Sequence, residues 1–118
     1  MQLRNLPDDA ARPLASLVTC RPGQVSSMSL VRGGIDLGLS ATLFAFAAGE
    51  SVSEERYEGD TMYLCVEGRM ALTRPDGWRA ELAQGDVLRM AAGVEHAVEG
   101  AGGPFKMLQI TVPGGAER

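Results

Sequence analysis

The chain contains one histidine. A catalytic transition metal ordinarily takes three or more protein ligands, so a histidine-rich metal centre is excluded from the outset. Cysteine is nearly as scarce. Cys20 and Cys65 are the only two, lie far apart and form no CxxC pair, which removes both a cysteine zinc site and a disulfide framework. Both are read as free thiols. Basic surface is lacking too: 11 Lys and Arg oppose 15 Asp and Glu, for a formal charge of −4 and a pI near 4.9. Such a chain has no counterion-releasing face for nucleic acid or an anionic membrane. All but one of the basic residues are arginines scattered singly, read as solvated surface. No apolar run is long enough to cross a bilayer, and the opening MQLRNLPDDAARP lacks a signal-peptide core. A cytoplasmic location is expected.

What is present is ordinary globular composition, 45% hydrophobic and 22% charged over 118 residues, enough for one domain with one modest core. Fifteen glycines and six prolines interrupt the chain so often that no amphipathic helix of normal length fits after residue 20. The chain should therefore be all-β. Residues 1–24 read as an N-terminal arm, in which Ala10 to Val18 can make a helical turn or two, limited by Pro13. From residue 25 onward, strands are predicted at Val25–Val31, Ile35–Phe46, Val52–Tyr57, Thr61–Glu67, Arg69–Arg74, Trp78–Leu82, Val87–Ala91, His96–Val98 and Phe105–Val112. Gly33-Gly34 is read as a turn, and Pro75-Asp76-Gly77 between alternating segments is a hairpin signal. Many short strands with regular turns point to a sandwich or closed barrel.

Two blocks flanking that hairpin are more specific. Gly49 to Gly68 reads G-ESVSE-E-R-Y-EGD-T-MYLCVE-G, and Gly85 to His96 reads G-DVLRM-A-A-G-VE-H. They resemble the two stretches of the cupin superfamily: glycine, five residues, His-x-His, three or four residues, Glu, six residues, glycine; then glycine, five residues, Pro-x-Gly, two residues, His. Glu55 and Tyr57 stand where the family has its first two histidines, and Thr61 where it has glutamate. Ala91 replaces the proline, Gly93 keeps the turn, and Gly100 stands where an asparagine is sometimes found. His96 alone keeps a ligand position. The resemblance spans Leu39 to Val112 and implies a double-stranded β-helix (jelly-roll) barrel over residues 25–118.

Alternation puts Glu55 and Tyr57 on one face, and Tyr63 and Cys65 with Thr61 on one face of the next strand. With His96 these six form the expected pocket lining, with Glu55 and His96 as the catalytic pair if there is turnover. Glu54 and Glu58 should face solvent. Tyr63 and Cys65 read also as packing, and His96 as a buried hydrogen-bonding group donating to Glu55 or Tyr57. No cofactor is expected; a divalent metal at His96 and Glu55 is the minor alternative, since phenol and hydroxyl are poor ligands. Cupins host many activities on one barrel, so three functions stay open. One is a small-molecule binding module without a catalytic metal. Another is a metal-independent isomerase, epimerase or cyclase with His96 as general acid or base. The third is a dioxygenase-like cupin with an unusual ligand set. The resemblance also implies a homodimer in which each N-terminal strand joins the other chain's sheet, with Val25–Val31 and Leu108–Val112 suited to the contact.

Overall fold

The computed structural model describes residues 1–114, and residues 115–118 at the end of the expected barrel lie outside them. Eleven strands appear among the described residues: β1 Gln2–Leu3, β2 Val25–Ser29, β3 Val31–Arg32, β4 Ser40–Phe46, β5 Ser51–Glu55, β6 Thr61–Glu67, β7 Arg69–Thr73, β8 Arg79–Ala83, β9 Val87–Met90, β10 His96–Gly100 and β11 Phe105–Thr111. They form a five-stranded sheet in the order β2-β4-β11-β6-β9, a four-stranded sheet in the order β5-β10-β7-β8, and a small β1-β3 pair. Every pairing is antiparallel. This is the all-β jelly-roll barrel that the turn-punctuated sequence predicts.

Two predicted strands are broken. The strand expected over Val25–Val31 divides at Leu30 into β2, which joins the five-stranded sheet, and β3, which pairs with β1. Ile35–Leu37 is a 3₁₀ turn, and Gly38 follows at φ 81°, so the long strand expected from Ile35 starts only at Ser40. Leu37 and Leu39 fit the alternation, but a left-handed residue between them stops the pleat. The Asp76-Gly77 turn joins β7 to β8 as expected, with Gly77 at φ 93°. The N-terminal segment makes a 3₁₀ turn at Leu14–Leu17.

The five-stranded sheet is buried on both faces, and alternation sorts its residues into two cores. Inward, Phe46, Cys65, Met90, Phe105 and Met107 meet Met70, Leu72, Leu82 and Val98 of the opposite sheet. Phe46 and Phe105 are register partners and stack at 4.4 Å between centroids, a pair worth ~1 kcal/mol beyond its buried area. Outward, Leu43 and Ala45 are covered by Leu14, Leu17, Val18 and Cys20 of the arm, with Met28 and Leu108 alongside. The arm therefore seals the back of the sheet, and Lys106 Nζ ties it down by donating to the Ala15 carbonyl at 2.7 Å. On the outer face of the four-stranded sheet, Ala71 is fully buried. Its register partners are Glu81 and Glu99, and Arg79 bridges both while Arg69 joins Glu81.

Candidate functional site

The barrel interior changes character along its axis. At one end the inward rows are Val25, Phe46, Phe105 and then Phe44, Met107, Cys65. The next rows, Thr42-Gln109-Tyr63 and Ser40-Thr111-Thr61, are polar. The facing sheet places Glu55 opposite His96 at this same end. An apolar floor thus carries a polar upper half, and five of the six residues expected from sequence meet there.

His96 is 2% exposed, so its polar atoms need protein partners. Nδ1 lies 2.9 Å from the Val94 carbonyl, which can only accept, so Nδ1 carries the hydrogen. Nε2 lies 2.7 Å from the Tyr63 hydroxyl, and in the neutral ring it accepts from that O–H. Burial, and secondarily the charge of Glu55, push the Tyr63 phenol well above its ordinary value, which keeps it protonated as the donor. The expectation that His96 donates to Glu55 or Tyr57 is thereby corrected: the ring's partners are Tyr63 and Val94. Tyr57 instead donates to the Glu55 carboxylate, and its ring centroid lies 6.0 Å from that of His96.

Thr61 shares a hydrogen bond of 3.0 Å with Thr111 across the strand pair. Cys65 is the one predicted pocket residue that belongs elsewhere. It sits fully buried in the apolar core, with its thiol donating toward the Gly68 carbonyl at 3.4 Å. Burial raises its pKa, so it remains a neutral thiol.

The loops that carry these groups are fastened to one another. Asp60 accepts from Arg89 Nε at 2.9 Å and the Ala92 amide at 2.9 Å. The Ala92 amide first, and Arg89 with it, hold the Asp60 carboxyl below its ordinary range. Gly93, at φ 80°, donates its amide to the Tyr57 carbonyl at 2.8 Å. Gly59 packs so tightly that a Cβ there would lie 1.7 Å from the Val112 carbonyl oxygen. Only glycine lets the chain pass between Tyr57 and Thr61.

Three polar residues escape the sequence reading. Gln109 and Thr111 are 8% and 7% exposed, and inward alternation along Phe105, Met107, Gln109 and Thr111 is the signal that finds them. Arg74 follows Met70 and Leu72 on the same face, yet reads as one more surface arginine unless that alternation is extended past the strand end. Its guanidinium lies 4.0 Å over the Trp78 ring. Glu54 is exposed, as expected, and its hydrogen bond with Glu95 raises its pKa, while Glu95 also pairs with Arg56 at 2.9 Å.

Two surface cavities border the polar end. One of about 420 Å³ is lined by residues including Leu37, Arg56, Tyr57, Glu58 and Thr111. The other, about 250 Å³, is lined by Glu54, Thr73, Arg74, Pro75, His96 and Ala97. The donors do not fit a metal centre. Among the described residues no three His, Cys, Asp or Glu side chains converge. At the ligand positions implied by the family, the His96 Nε2 lone pair is engaged by Tyr63, Glu55 by Tyr57, and Thr61 by Thr111.

Comparison with known proteins agrees with this architecture. The cupin domain family model matches residues 42–111, and the chain belongs to that family. It is similar to a cupin superfamily protein of Desulfitobacterium hafniense DCB-2, with 45% identity, TM-score 0.88, and coverage of 96% of this chain and 99% of that one. A conserved protein of unknown function from Streptococcus pyogenes matches at 26% identity and TM-score 0.86, covering 98% and 97% of the two chains. A cupin 2 conserved barrel domain protein of Leptotrichia buccalis matches at 30% identity and TM-score 0.76 over 84% of this chain and 46% of that one. No curated protein matches. Among the described residues no helix is long and apolar enough to cross a membrane.

Proposed function

We propose that this cupin binds a small organic molecule at the polar end of its barrel, without a catalytic metal. The observation that carries this reading is the preformed polar cluster of Tyr63, His96, Gln109, Thr61 and Thr111 standing on an apolar floor. Two cavities, of about 250 and 420 Å³, reach this cluster at His96 and Thr111, and concave sites with a few fixed polar groups suit organic ligands. Tyr63 and His96 orient one another before any ligand arrives, which lowers the ordering cost of binding. The test is a thermal-shift screen of hexoses, sugar nucleotides, aromatic acids and 2-oxo acids. A ligand at a hundred times its dissociation constant stabilises by ~2.7 kcal/mol, or roughly 10 °C for a chain of this size. His96→Ala should weaken that ligand. A flat screen over all four classes would overturn the proposal.

A second reading, acid–base catalysis without metal, draws on the same hydrogen bond. Tyr63 is held as a donor able to stabilise a developing oxyanion, and His96 behind it can accept or return a proton. Its weakness is that both ring nitrogens are already engaged. The readings separate on one variant: His96→Ala abolishes turnover in the catalytic case and merely weakens a ligand in the binding case. Stoichiometric iron, manganese or nickel in protein purified without chelator or affinity-column metal would refute both and restore the metal-dependent alternative.

A further inference from the structure

Arg74 stands out among the arginines. Arg56, Arg69, Arg79 and Arg89 each pair with a carboxylate, and Arg4, Arg12, Arg21 and Arg32, which do not, are exposed to solvent. Among the described residues the Arg74 side chain has no such partner, and its Nε is buried without any hydrogen-bond acceptor. A desolvated guanidinium donor left unpaired is costly, and native structures rarely leave one without a use. The cation is nevertheless held in place. Its plane lies over Trp78 at 4.0 Å, and its own amide continues the β7–β8 ladder by donating to the Trp78 carbonyl at 2.9 Å.

The position is as informative as the missing partner. Thr73 pairs with Ala97 in the β7–β10 register, so the next step along brings Arg74 beside His96. Both residues line the same cavity of about 250 Å³. The inner row at the polar end of the four-stranded sheet therefore runs Glu55, His96, Arg74, Trp78.

We infer that Arg74 is the anchor for the carboxylate of a small organic acid bound at this end of the barrel. The inference deepens the proposed ligand-binding function and rests on it. A guanidinium offers a planar fork of donors matched to a carboxylate, and its stacking on Trp78 fixes the plane of that fork in advance. The charge balance favours a monoanion. One cation is available, while Glu54 lines the same cavity and Glu55 stands two strands away, so a phosphate dianion would meet uncompensated repulsion. The rest of the ligand would lie toward Tyr63 and His96.

Trp78 is the sole tryptophan, so its indole N–H signal in a ¹H–¹⁵N spectrum reports on this site directly, and the His96 ring signals report on the barrel end. Benzoate, its neutral analogue benzamide and inorganic phosphate serve as probes, on wild type, Arg74→Gln and Arg74→Lys. Benzoate is expected to move the Trp78 signal saturably and to bind about tenfold or more tighter than benzamide, the worth of one charge-assisted pair. Arg74→Gln should erase that preference while its spectrum stays folded, and Arg74→Lys should restore part of it. Equal binding of benzoate and benzamide, benzoate binding unaltered in Arg74→Gln, tighter binding of phosphate, or no shift of Trp78 at tens of millimolar benzoate would each overturn the inference. If both organic probes move His96 equally and Arg74→Gln changes nothing, the anchor fails while ligand binding stands. If the charge preference appears at Trp78 but His96 never responds, the anchor stands and the barrel-end reading falls.

Discussion

Replacing Tyr63 by phenylalanine removes one oxygen and leaves the ring that fills the core. Tyr63 is 1% exposed and His96 2% exposed, so water does not easily replace the lost donor. The His96 Nε2 lone pair then loses its 2.7 Å partner, while Nδ1 keeps the Val94 carbonyl. Leaving one buried acceptor unsatisfied costs about 1–3 kcal/mol, and ~2 kcal/mol is the central expectation. With an unfolding entropy of ~2.1 cal/mol/K per residue, that converts to a fall in Tm of roughly 8 °C. The measurement is reversible urea and thermal unfolding, with an unchanged urea dependence showing that the native and unfolded states are otherwise the same. Tyr57→Phe is the internal control. That residue is half-buried, water can reach the vacated position, and the loss should stay below ~1 kcal/mol. Equal losses for the two variants, or a Tyr63→Phe loss under ~0.5 kcal/mol, would refute the view that a desolvated Tyr63–His96 pair organises the barrel end. Long-range ¹H–¹⁵N correlations of His96 add a second check. The hydrogen should reside on Nδ1 in both proteins, because a carbonyl cannot donate.

Four other perturbations test separate parts of the argument. Gly59→Ala must push a methyl group into the Val112 carbonyl, 1.7 Å away, and should destabilise by about 3 kcal/mol, whereas Gly49→Ala, with nothing within 4 Å but φ at 83°, should cost ~1 kcal/mol; similar losses in chemical denaturation would contradict the close-approach account. Asp60→Ala should lower Tm at pH 7, and because the folded carboxyl is depressed from 3.8, the stabilisation is fully present above the ordinary aspartate range and disappears as pH falls through the folded value. A deficit that persists undiminished at the lowest pH where wild type folds would show that charge is not involved. Leu43→Ala, beneath the arm at 0% exposure, should cost about 2–5 kcal/mol, and loss of the arm's Leu14 and Leu17 contacts should be visible as faster amide exchange there. We also propose that the chain forms a homodimer: β2 is a sheet edge and Leu3, Ile35 and Leu37 are 68%, 78% and 62% exposed, so light scattering at micromolar concentration should give twice the chain mass, and a monomer would refute it.

The strands were legible because glycine and proline mark their ends and alternation marks their faces. Thr61, Tyr63 and Cys65 share a face as the period of two requires, and all three are buried. What alternation does not reveal is depth along the axis. Cys65 faces inward like Thr61 but lies two rungs lower, among Phe46 and Met107, where the barrel is apolar. Gln109 and Thr111 were hidden inside an apparently apolar strand, since their meaning comes from the partners that register gives them, Tyr63 and Thr61. Arg74 was hidden by its company, one arginine in ten, and its packing on Trp78 and its buried, unpaired Nε set it apart. The break after Leu37 turns on the sign of one φ angle at Gly38, which a glycine permits but does not require.

The same depth ordering explains how one barrel can keep a polar end without weakening its core. Strands β4, β6 and β11 each carry polar residues at one end and apolar residues at the other, in register, so the Thr61–Thr111 and Tyr63–His96 hydrogen bonds lie in the upper two rows and the Phe46–Phe105 stack lies below them. Losing a polar partner therefore perturbs the mouth locally, while the stacked Phe46–Phe105 pair and its neighbours keep the sheets together. The single histidine fits this division. In a barrel whose mouth carries several imidazoles, a metal gathers them and sets their orientation. With one imidazole left, orientation has to come from elsewhere, and here Val94 and Tyr63 supply it from the two sides of the ring. A fixed, desolvated His–Tyr pair beside an unpaired guanidinium presents directional donors and one positive charge, and it is on that arrangement that the proposal of an organic-acid ligand rests.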